Sequence, residues 1–85
     1  MKHMYTTYIL YSESLKKYYT GQTFDFARRL EEHNRGKTSF MSSGVPWEKV
    51  FSKDFESRSE AVRLEKLIKK RGAARFLSDL QGPVG

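Results

Sequence analysis

The stretch YTTYILYSESLKKYYTGQT, residues 5–23, predicts a β-hairpin and so sets the fold class. Apolar and aromatic side chains recur with a period of two over residues 5–11, and residues 17–22 have a similar strand-favouring composition. The polar residues 12–16 between them would close the hairpin. Two antiparallel strands are therefore expected at the start of the domain.

A helix, a loop and a third strand are expected after the hairpin. Thr23 can cap a helix over residues 24–34, with Gly36 just past its end. The stretch 37–46 is rich in Ser, Gly and Thr without any periodicity, and it predicts a surface loop. Alternation returns over Trp47–Phe55, which is typical of a half-exposed strand.

Two further helices complete the predicted elements. Ser57 and Glu60 match a capping box, and helical periodicity continues from residue 61 until Gly72. A last short helix is expected over Ala73–Leu80. The order strand, strand, helix, strand, helix, helix indicates the α+β class.

Length and composition narrow the possible protein classes. A chain of 85 residues allows one small domain, expected over residues 1–80, with 81–85 as a flexible C-terminal end. The absence of cysteine excludes disulfides, thiolate metal sites and a cysteine nucleophile. No apolar run approaches the roughly 20 residues of a membrane span, and no signal-peptide core follows the polar start. We therefore expect a cytoplasmic protein without membrane association.

The charge balance suggests a polyanionic partner. Sixteen Lys and Arg against ten Asp and Glu give a net charge of +6. The stretch 66–78 holds five basic residues and no acid. This cluster fits either a solvated helix face or a patch that contacts phosphates.

Two charged or polar residues share the apolar face of the first helix. Arg29 and His33 fall in one stripe with Phe26 and Leu30, whereas Glu32 is expected to point away. A guanidinium withdrawn from water requires a carboxylate neighbour or an anionic ligand. The alternative is that Arg29 reaches the rim and His33 is a hydrogen-bonded core histidine.

The second long helix presents a carboxylate inward. Glu65 groups with Ala61, Leu64 and Ile68 in the helical projection. A buried ion pair between Arg29 and Glu65 would explain both charges. Apolar residues at the same positions often stabilise a core equally well. A small core therefore seldom gains from a buried ion pair, and the two charges are better explained by a functional role.

Two tyrosines add to this set. Tyr8 lies in the middle of the first strand, and Tyr19 lies two residues before Gly21 in the second. Antiparallel neighbours can bring both rings together. The alternative is coincidence, since tyrosine is common in strands.

The ordered spacing of these residues resembles the GIY-YIG nuclease superfamily. The resemblance rests on Tyr8, on Tyr19-Thr20-Gly21, on Arg29 with His33 four residues later, and on Ala61 with Glu65 four residues later. It covers residues 5–80 and is greatest with the small standalone bacterial branch that is similar to an excinuclease subunit. Only the final tyrosine of the first signature is kept, as Tyr8.

The resemblance implies a three-stranded antiparallel sheet flanked by helices, and it implies a role for each site residue. Tyr8 and Tyr19 would flank the scissile phosphate, and Arg29 would contact it. Glu65 would ligate a divalent metal, Mg²⁺ or Mn²⁺, and His33 would support the site. The implied activity is a metal-dependent endonuclease acting on DNA, with RNA left open as a substrate.

Phosphodiester hydrolysis requires an activated water, charge neutralisation at the phosphate and stabilisation of the leaving oxygen. A tyrosine can act as the base only if a metal or cation favours its phenolate, and Tyr19 is preferred over Tyr8. Arg29 offers a planar fork for two phosphate oxygens. One carboxylate, Glu65, suffices for a single Mg²⁺ that keeps several waters.

Further residues are expected to hold the nucleic acid. Trp47 and Phe40 could stack on a base or, as the favoured alternative, belong to the core. Sequence-independent contacts with the phosphate backbone are expected from Lys16, Lys17, Arg35, Lys37, Lys66, Lys69, Lys70, Arg71 and Arg75.

Two other functions remain open from the sequence. One is a nucleic-acid-binding module that kept the fold but lost turnover, which the eroded first signature suggests. The other is an interaction domain recruited to a repair or recombination partner, in which the basic residues only aid solubility.

Overall fold

The computed structural model describes residues 4–36 and 39–82. Strands β2, β1 and β3 form one antiparallel sheet in that order. This arrangement confirms the α+β class with a three-stranded antiparallel sheet flanked by helices. Lys37 and residues 83–85 of the predicted C-terminal end lie outside the described residues. The elements are β1 (Tyr5–Ser12), β2 (Lys17–Thr23), α1 (Phe26–Asn34), α2 (Ser39–Ser43), β3 (Trp47–Phe55), α3 (Arg58–Arg71) and α4 (Ala73–Leu80).

The central strand β1 is covered on both faces. Successive side chains of a strand point to opposite sides of the sheet. Thr7 Oγ1 donates a hydrogen bond of 2.7 Å to the carbonyl oxygen of Ala61 in α3. The hydroxyl of Tyr8, the next residue, lies 3.3 Å from Nε2 of His33 in α1. Helices α1 and α3 therefore cover opposite faces.

The core is small and follows the two faces of β1. Tyr8, Leu10 and Trp47 form a buried cluster on the α1 face. On the α3 face, Ile9 of β1 and Ile68 of α3 are both 0% exposed. Full burial of such side chains stabilises the fold by about 1.5–3 kcal/mol each. Packing against β1 therefore holds both helices in place.

Helix α1 begins later than the sequence predicts. The expected cap, Thr23, is the last residue of β2, and its hydroxyl accepts a hydrogen bond of 3.1 Å from the backbone N–H of Asp25. Asp25 is the actual N-cap, since its Oδ1 accepts from the backbone N–H of Arg28 at 3.2 Å. Asp and Thr both suit a cap, and the extension of β2 through Thr23 decides between them.

The stretch predicted as a surface loop contains the short helix α2, so that prediction is wrong for Ser39–Ser43. The indole Nε1 of Trp47 donates to the carbonyl of Met41 at 3.0 Å, and the Phe40 ring lies 5.6 Å from the Trp47 ring. Trp47 itself is 2% exposed. Trp47 is thus a core residue that anchors α2, and the favoured prediction, that it belongs to the core and does not stack on a base, agrees with this position.

The remaining elements follow their predictions. Both Trp47–Phe55 and Ala73–Leu80 have the expected bounds. Ser57 Oγ accepts from the backbone N–H of Glu60 at 3.3 Å and so caps α3. Gly72 separates α3 from α4 with a φ of 95°, which favours glycine. Within residues 4–36 and 39–82, no helix has the length and apolar character that crossing a bilayer requires.

Candidate active site

Tyr8 and Tyr19 lie together, as the sequence predicts. Tyr8 pairs with Gly21 across the β1–β2 ladder and Leu10 pairs with Tyr19, which makes the tyrosines diagonal neighbours on one face. Their rings stack with centroids 6.4 Å apart. The Tyr8 ring reaches over Gly21, where a Cβ would lie 2.6 Å from the Tyr8 hydroxyl. Glycine at this position therefore makes room for the tyrosine pair.

His33 supports both rings from α1. It is 5% exposed, and its ring centroid lies 4.6 Å from that of Tyr19. Burial lowers the pKa of His33, and the positive charge of Arg29 lowers it further. The imidazole is therefore neutral at pH 7. Its Nε2 lies 3.3 Å from the Tyr8 hydroxyl and its Nδ1 lies 2.7 Å from the Met41 sulfur, so the ring is held at both nitrogens.

Charges from two helices reach the buried hydroxyl of Tyr8. The pKa of Tyr8 is raised to about 12, chiefly by burial and then by the neighbouring Tyr19. The positive charge of Arg29 on α1 opposes this shift, and the negative charge of Glu65 on α3 adds to it. Tyr8 is 0% exposed, so its phenol stays protonated and donates at neutral pH. Arg29 and Glu65 are thus both near enough to this phenol for their charges to affect its pKa.

Arg29 reaches the surface. Its Nε lies 3.3 Å from Oε1 of Glu32, and 42% of its side chain is exposed. The expectation that Glu32 points away is wrong, because residues three apart on a helix are neighbours. The alternative of a buried Arg29–Glu65 pair is also wrong, since each of these residues pairs within its own helix. The arginine therefore remains accessible to an anionic ligand.

Glu65 lies at the edge of the same region with 19% of its side chain exposed. Lys69 Nζ, one turn further along α3, donates to its Oε2 at 2.9 Å. No three acidic or histidine side chains cluster to form a metal site anywhere in the part of the chain that the structure describes. A cation there would have Glu65 as its protein ligand, in competition with Lys69.

A shallow groove of about 710 Å³ runs beside β2, the edge strand of the sheet. It brings Tyr19 next to three of the predicted nucleic-acid contacts, which come from the end of α3 and from α4. Among these, Arg71 is held by Asp79 through contacts of 2.8 and 3.1 Å. We call this surface the tyrosine groove, and its lining comprises Tyr18, Tyr19, Thr20, Lys69, Arg71, Gly72, Ala73, Ala74 and Arg75.

The other predicted nucleic-acid contacts lie elsewhere. Lys66 and Lys70 line a different groove, between α3, β3 and α4. Lys16 pairs with Glu13, and Arg35 pairs with Glu31. Lys17 is exposed at the start of β2. The structure therefore divides the predicted basic set among several surfaces, while Lys37 is outside the described residues.

One arginine beside the site was missed by the sequence analysis. Arg58 and Arg29 line a common small cavity of about 150 Å³, together with Tyr5 and Gln22. Arg58 is the first residue of α3 and lies inside the capping box. No local signal distinguishes it from a solvated helix-start residue, because its proximity to Arg29 depends on how α1 and α3 pack on the sheet.

Comparisons with known proteins point to one family. Residues 4–76 match the GIY-YIG catalytic domain. A UPF0213 protein of Streptococcus agalactiae is 41% identical over 54 residues, which cover 62% of this chain and 61% of that protein. The UPF0213 protein YsiG of Lactococcus lactis is 32% identical over 84 residues, covering 92% of this chain and 80% of that protein.

A solved structure agrees with the fold. The solution NMR structure of a UPF0213 protein from Bacillus halodurans is 30% identical in sequence, with a TM-score of 0.58. The match covers 94% of this chain and 88% of that one. The names of these relatives state no activity.

Proposed function

Because this chain belongs to the GIY-YIG family, whose catalytic domain is a nuclease fold, we propose that it is a metal-dependent endonuclease that hydrolyses DNA phosphodiester bonds. The observation that carries the proposal is the convergence at Tyr8. Tyr19 stacks on its ring, His33 lies 3.3 Å from its hydroxyl, and Arg29 and Glu65 are near enough for their charges to affect its pKa. A fold that only needed a core would gain little from placing both charges there.

Arg29 is proposed to hold the scissile phosphate. Its guanidinium is surface-accessible and presents a planar fork that matches two phosphate oxygens. Arg58, on the same small cavity, adds a second positive charge for the neighbouring backbone. The two fixed cations would thus stabilise the negative charge that develops on the non-bridging oxygens. Such electrostatic stabilisation of the transition state is usually the largest source of rate enhancement.

Tyr19 is proposed to accept the proton of the attacking water. Its ring is only half-buried and lines the tyrosine groove with Lys69 and Arg75, so a water can reach its oxygen. Tyr8 is fully buried, so in this proposal it does not touch substrate, which departs from the expectation that both tyrosines flank the phosphate. With its high pKa and its hydrogen bond to His33, Tyr8 positions the Tyr19 ring. Tyr19 acts in its phenolate form: the attacking water gives its proton to the phenolate oxygen, and the water oxygen attacks phosphorus. The bond from phosphorus to the leaving oxygen then breaks, and the leaving oxygen takes a proton from solvent.

The residues present fit a single magnesium or manganese ion. Glu65 offers a partly exposed carboxylate near the tyrosines, and Mg²⁺ commonly takes one or two carboxylates with water and substrate phosphate as its other ligands. When bound, the ion would neutralise phosphate charge and stabilise the leaving oxygen. Lys69 holds the carboxylate in its present orientation and must release it for the ion.

The test is cleavage of supercoiled plasmid DNA in the presence of Mg²⁺ or Mn²⁺. The wild-type protein is expected to nick the plasmid, and Glu65→Gln and Arg29→Ala are expected to lose that activity. Glu48→Gln, on the exposed part of β3, is the matched control and should cleave normally. An intact plasmid with wild type, or equal cleavage by Glu65→Gln, contradicts the proposal.

A second candidate is a nucleic-acid-binding module without turnover. The observation in its favour is the ion pair that engages Glu65 with Lys69 instead of leaving the carboxylate for a metal. This function predicts salt-sensitive retention of DNA without cleavage in either metal. The same plasmid assay, combined with a gel-shift measurement at low salt, separates the two candidates.

A further inference from the structure

A second groove lies on the side of α3 away from Tyr19. Its floor comes from β3, α3 and α4, and the Phe51 and Phe76 rings meet there edge to face with centroids 5.2 Å apart. Leu67 and Leu80 are 56% and 57% exposed, so much of this apolar surface faces water. We call it the apolar groove, with a floor of Phe51, Phe55, Leu64, Leu67, Phe76 and Leu80.

The rim of the apolar groove is basic. Lys53, Arg63, Lys66 and Lys70 line it, against the single acid Glu60. Arg63, Lys66 and Lys70 form no ion pair with any residue in the described ranges 4–36 and 39–82. These cations are therefore available to acids of another molecule.

We propose that the apolar groove binds an acidic amphipathic helix of a partner protein. An apolar stripe on such a helix would cover the phenylalanine and leucine floor, and acids beside the stripe would meet the basic rim. Residues of α3 line the groove from Glu60 to Lys70. At a rise of 1.5 Å per residue, the side of the groove formed by α3 is about 15 Å long. This length can accommodate anchor side chains at positions i, i+3 or i+4, and i+7 of a docked helix.

Other occupants fit the surface less well. A second copy of this chain would bring two basic rims together, and like charges facing each other oppose association. Nucleic acid would match the rim but would leave the leucines of the floor uncovered, since phosphate contacts supply most of its affinity. A bilayer surface is too flat to fill a concave groove, whereas a helix of about 10–12 Å diameter can enter it.

The probe for the test is a synthetic peptide of about 16 residues with Leu and Phe at the i, i+3/i+4 and i+7 positions and Glu elsewhere. Titration into the ¹⁵N-labelled full chain is followed by amide chemical shifts. Saturable shifts are expected around Phe51, Leu67 and Phe76, with little change at Tyr19. A peptide of the same composition in scrambled order is expected to bind at least about tenfold more weakly, because its apolar residues form no stripe.

Variants on the surface separate the floor from the rim. Leu67→Glu is expected to weaken peptide binding by at least about tenfold, and the double variant Lys66→Glu/Lys70→Glu by about fivefold to tenfold. The substituted residues Lys66, Leu67 and Lys70 are all exposed, so the variants are expected to fold. The amide spectrum of each variant checks that its fold is kept. The matched control is Lys17→Glu on β2, where the affinity is expected to stay unchanged.

Four outcomes overturn the proposal. The first is that the two peptides bind equally or not at all, and the second is that Leu67→Glu leaves the peptide affinity unchanged. The third is that a short DNA duplex or phosphatidylglycerol vesicles shift the same amide signals and bind more tightly than the peptide. The fourth is that sedimentation equilibrium shows a dimer of the wild-type chain that Leu67→Glu dissociates. The last two would assign the groove to nucleic acid, lipid or a second copy. None of these readouts depends on nuclease activity.

Discussion

The tyrosine groove and the apolar groove lie on either side of α3, and the same helix supplies cations to both. On the tyrosine side, Lys69 is bound to Glu65 and Arg71 is bound to Asp79, so acids of the chain itself hold these cations. On the apolar side, Lys66 and Lys70 have no such partner within the described residues. The net charge of +6 is therefore not one binding patch. Two cations of the tyrosine groove, Lys69 and Arg71, are held by acids of the chain, whereas Lys66 and Lys70 of the apolar groove can meet the acids of another molecule.

The largest difference is expected in catalysis, between the candidate active site and the apolar groove. Arg29→Lys removes the planar fork but keeps the charge, and loss of such a positioned donor lowers activity by about 10²-fold or more. The same change at Arg63, on the rim of the apolar groove, is expected to leave the rate unchanged. Plasmid nicking rates with Mg²⁺ measure both. Equal rates for the two variants would remove the functional distinction between the candidate active site and the apolar groove.

Alkaline pH is expected to destabilise the protein from the tyrosine side. The pKa of Tyr8 is raised from 10.0 to about 12, so the folded state keeps a proton that the unfolded state loses first. This contribution to stability is complete below about pH 10 and is lost as pH rises through about 12, with a total of about 2–3 kcal/mol. Urea unfolding at about pH 9 and about pH 12 measures the loss.

Tyr8→Phe removes this titration, so its stability is expected to fall less than that of wild type over the same pH range. Tyr18→Phe is the matched control because Tyr18 is 40% exposed in the tyrosine groove. An equally steep alkaline loss in Tyr8→Phe would show that another group is responsible. The phenylalanines of the apolar groove cannot titrate and are not expected to contribute.

Gly21→Ala is expected to destabilise the fold by about 1–3 kcal/mol through overpacking. The added Cβ would lie 2.6 Å from the hydroxyl and 2.9 Å from Cζ of Tyr8, a ring that is fully buried and cannot easily move. Ser52→Ala is the control, since Ser52 faces Tyr8 from β3 and is exposed. Chemical denaturation compares the two. A neutral Gly21→Ala would mean that the tyrosine pair is loosely packed.

The smallest expected effect separates neighbouring lysines. Lys69→Met frees the carboxylate of Glu65 from its ion pair. The affinity for Mn²⁺ in the absence of DNA is therefore expected to rise by up to about fivefold, because breaking an exposed ion pair costs no more free energy than that. Lys70→Met, on the apolar rim, should leave that affinity unchanged. Paramagnetic broadening of amide signals near Glu65 reports the binding. Identical affinities in both variants would mean that Lys69 does not compete with the ion.

Local signals were sufficient for most of the secondary structure. The period of two in Tyr5–Ser12 and Trp47–Phe55 and the Ser57 cap of α3 each depend on residues close together in the chain. Helix α2 was missed because its anchor is the Trp47 indole, which lies outside the helix. The true cap of α1, Asp25, was missed because β2 extends through Thr23 by pairing with Thr6 of β1.

The members of the candidate site come from the resemblance to the GIY-YIG family, and their roles stay a proposal. Helical period put Arg29 and Glu65 on the apolar faces of their helices, and the strand pattern put Tyr8 and Tyr19 on neighbouring strands. A carboxylate neighbour of Arg29 was expected, but Glu32 was expected to point away, because the projection of one helix at a time cannot decide between Glu32 and Glu65 as that neighbour. Arg58 entered the site only through packing.

The amino-acid sequence alone determined the α+β class and the order of the elements apart from α2, because these follow from local periodicity. The proposed site residues rest on the resemblance of the sequence to the GIY-YIG family. Only the tertiary structure decided that Tyr8 is buried while Tyr19 is accessible, and that Lys69 and Lys70, adjacent in sequence, line different grooves. Adjacent residues on a helix point about 100° apart. What each of them meets is therefore set by the strands and helices packed around α3.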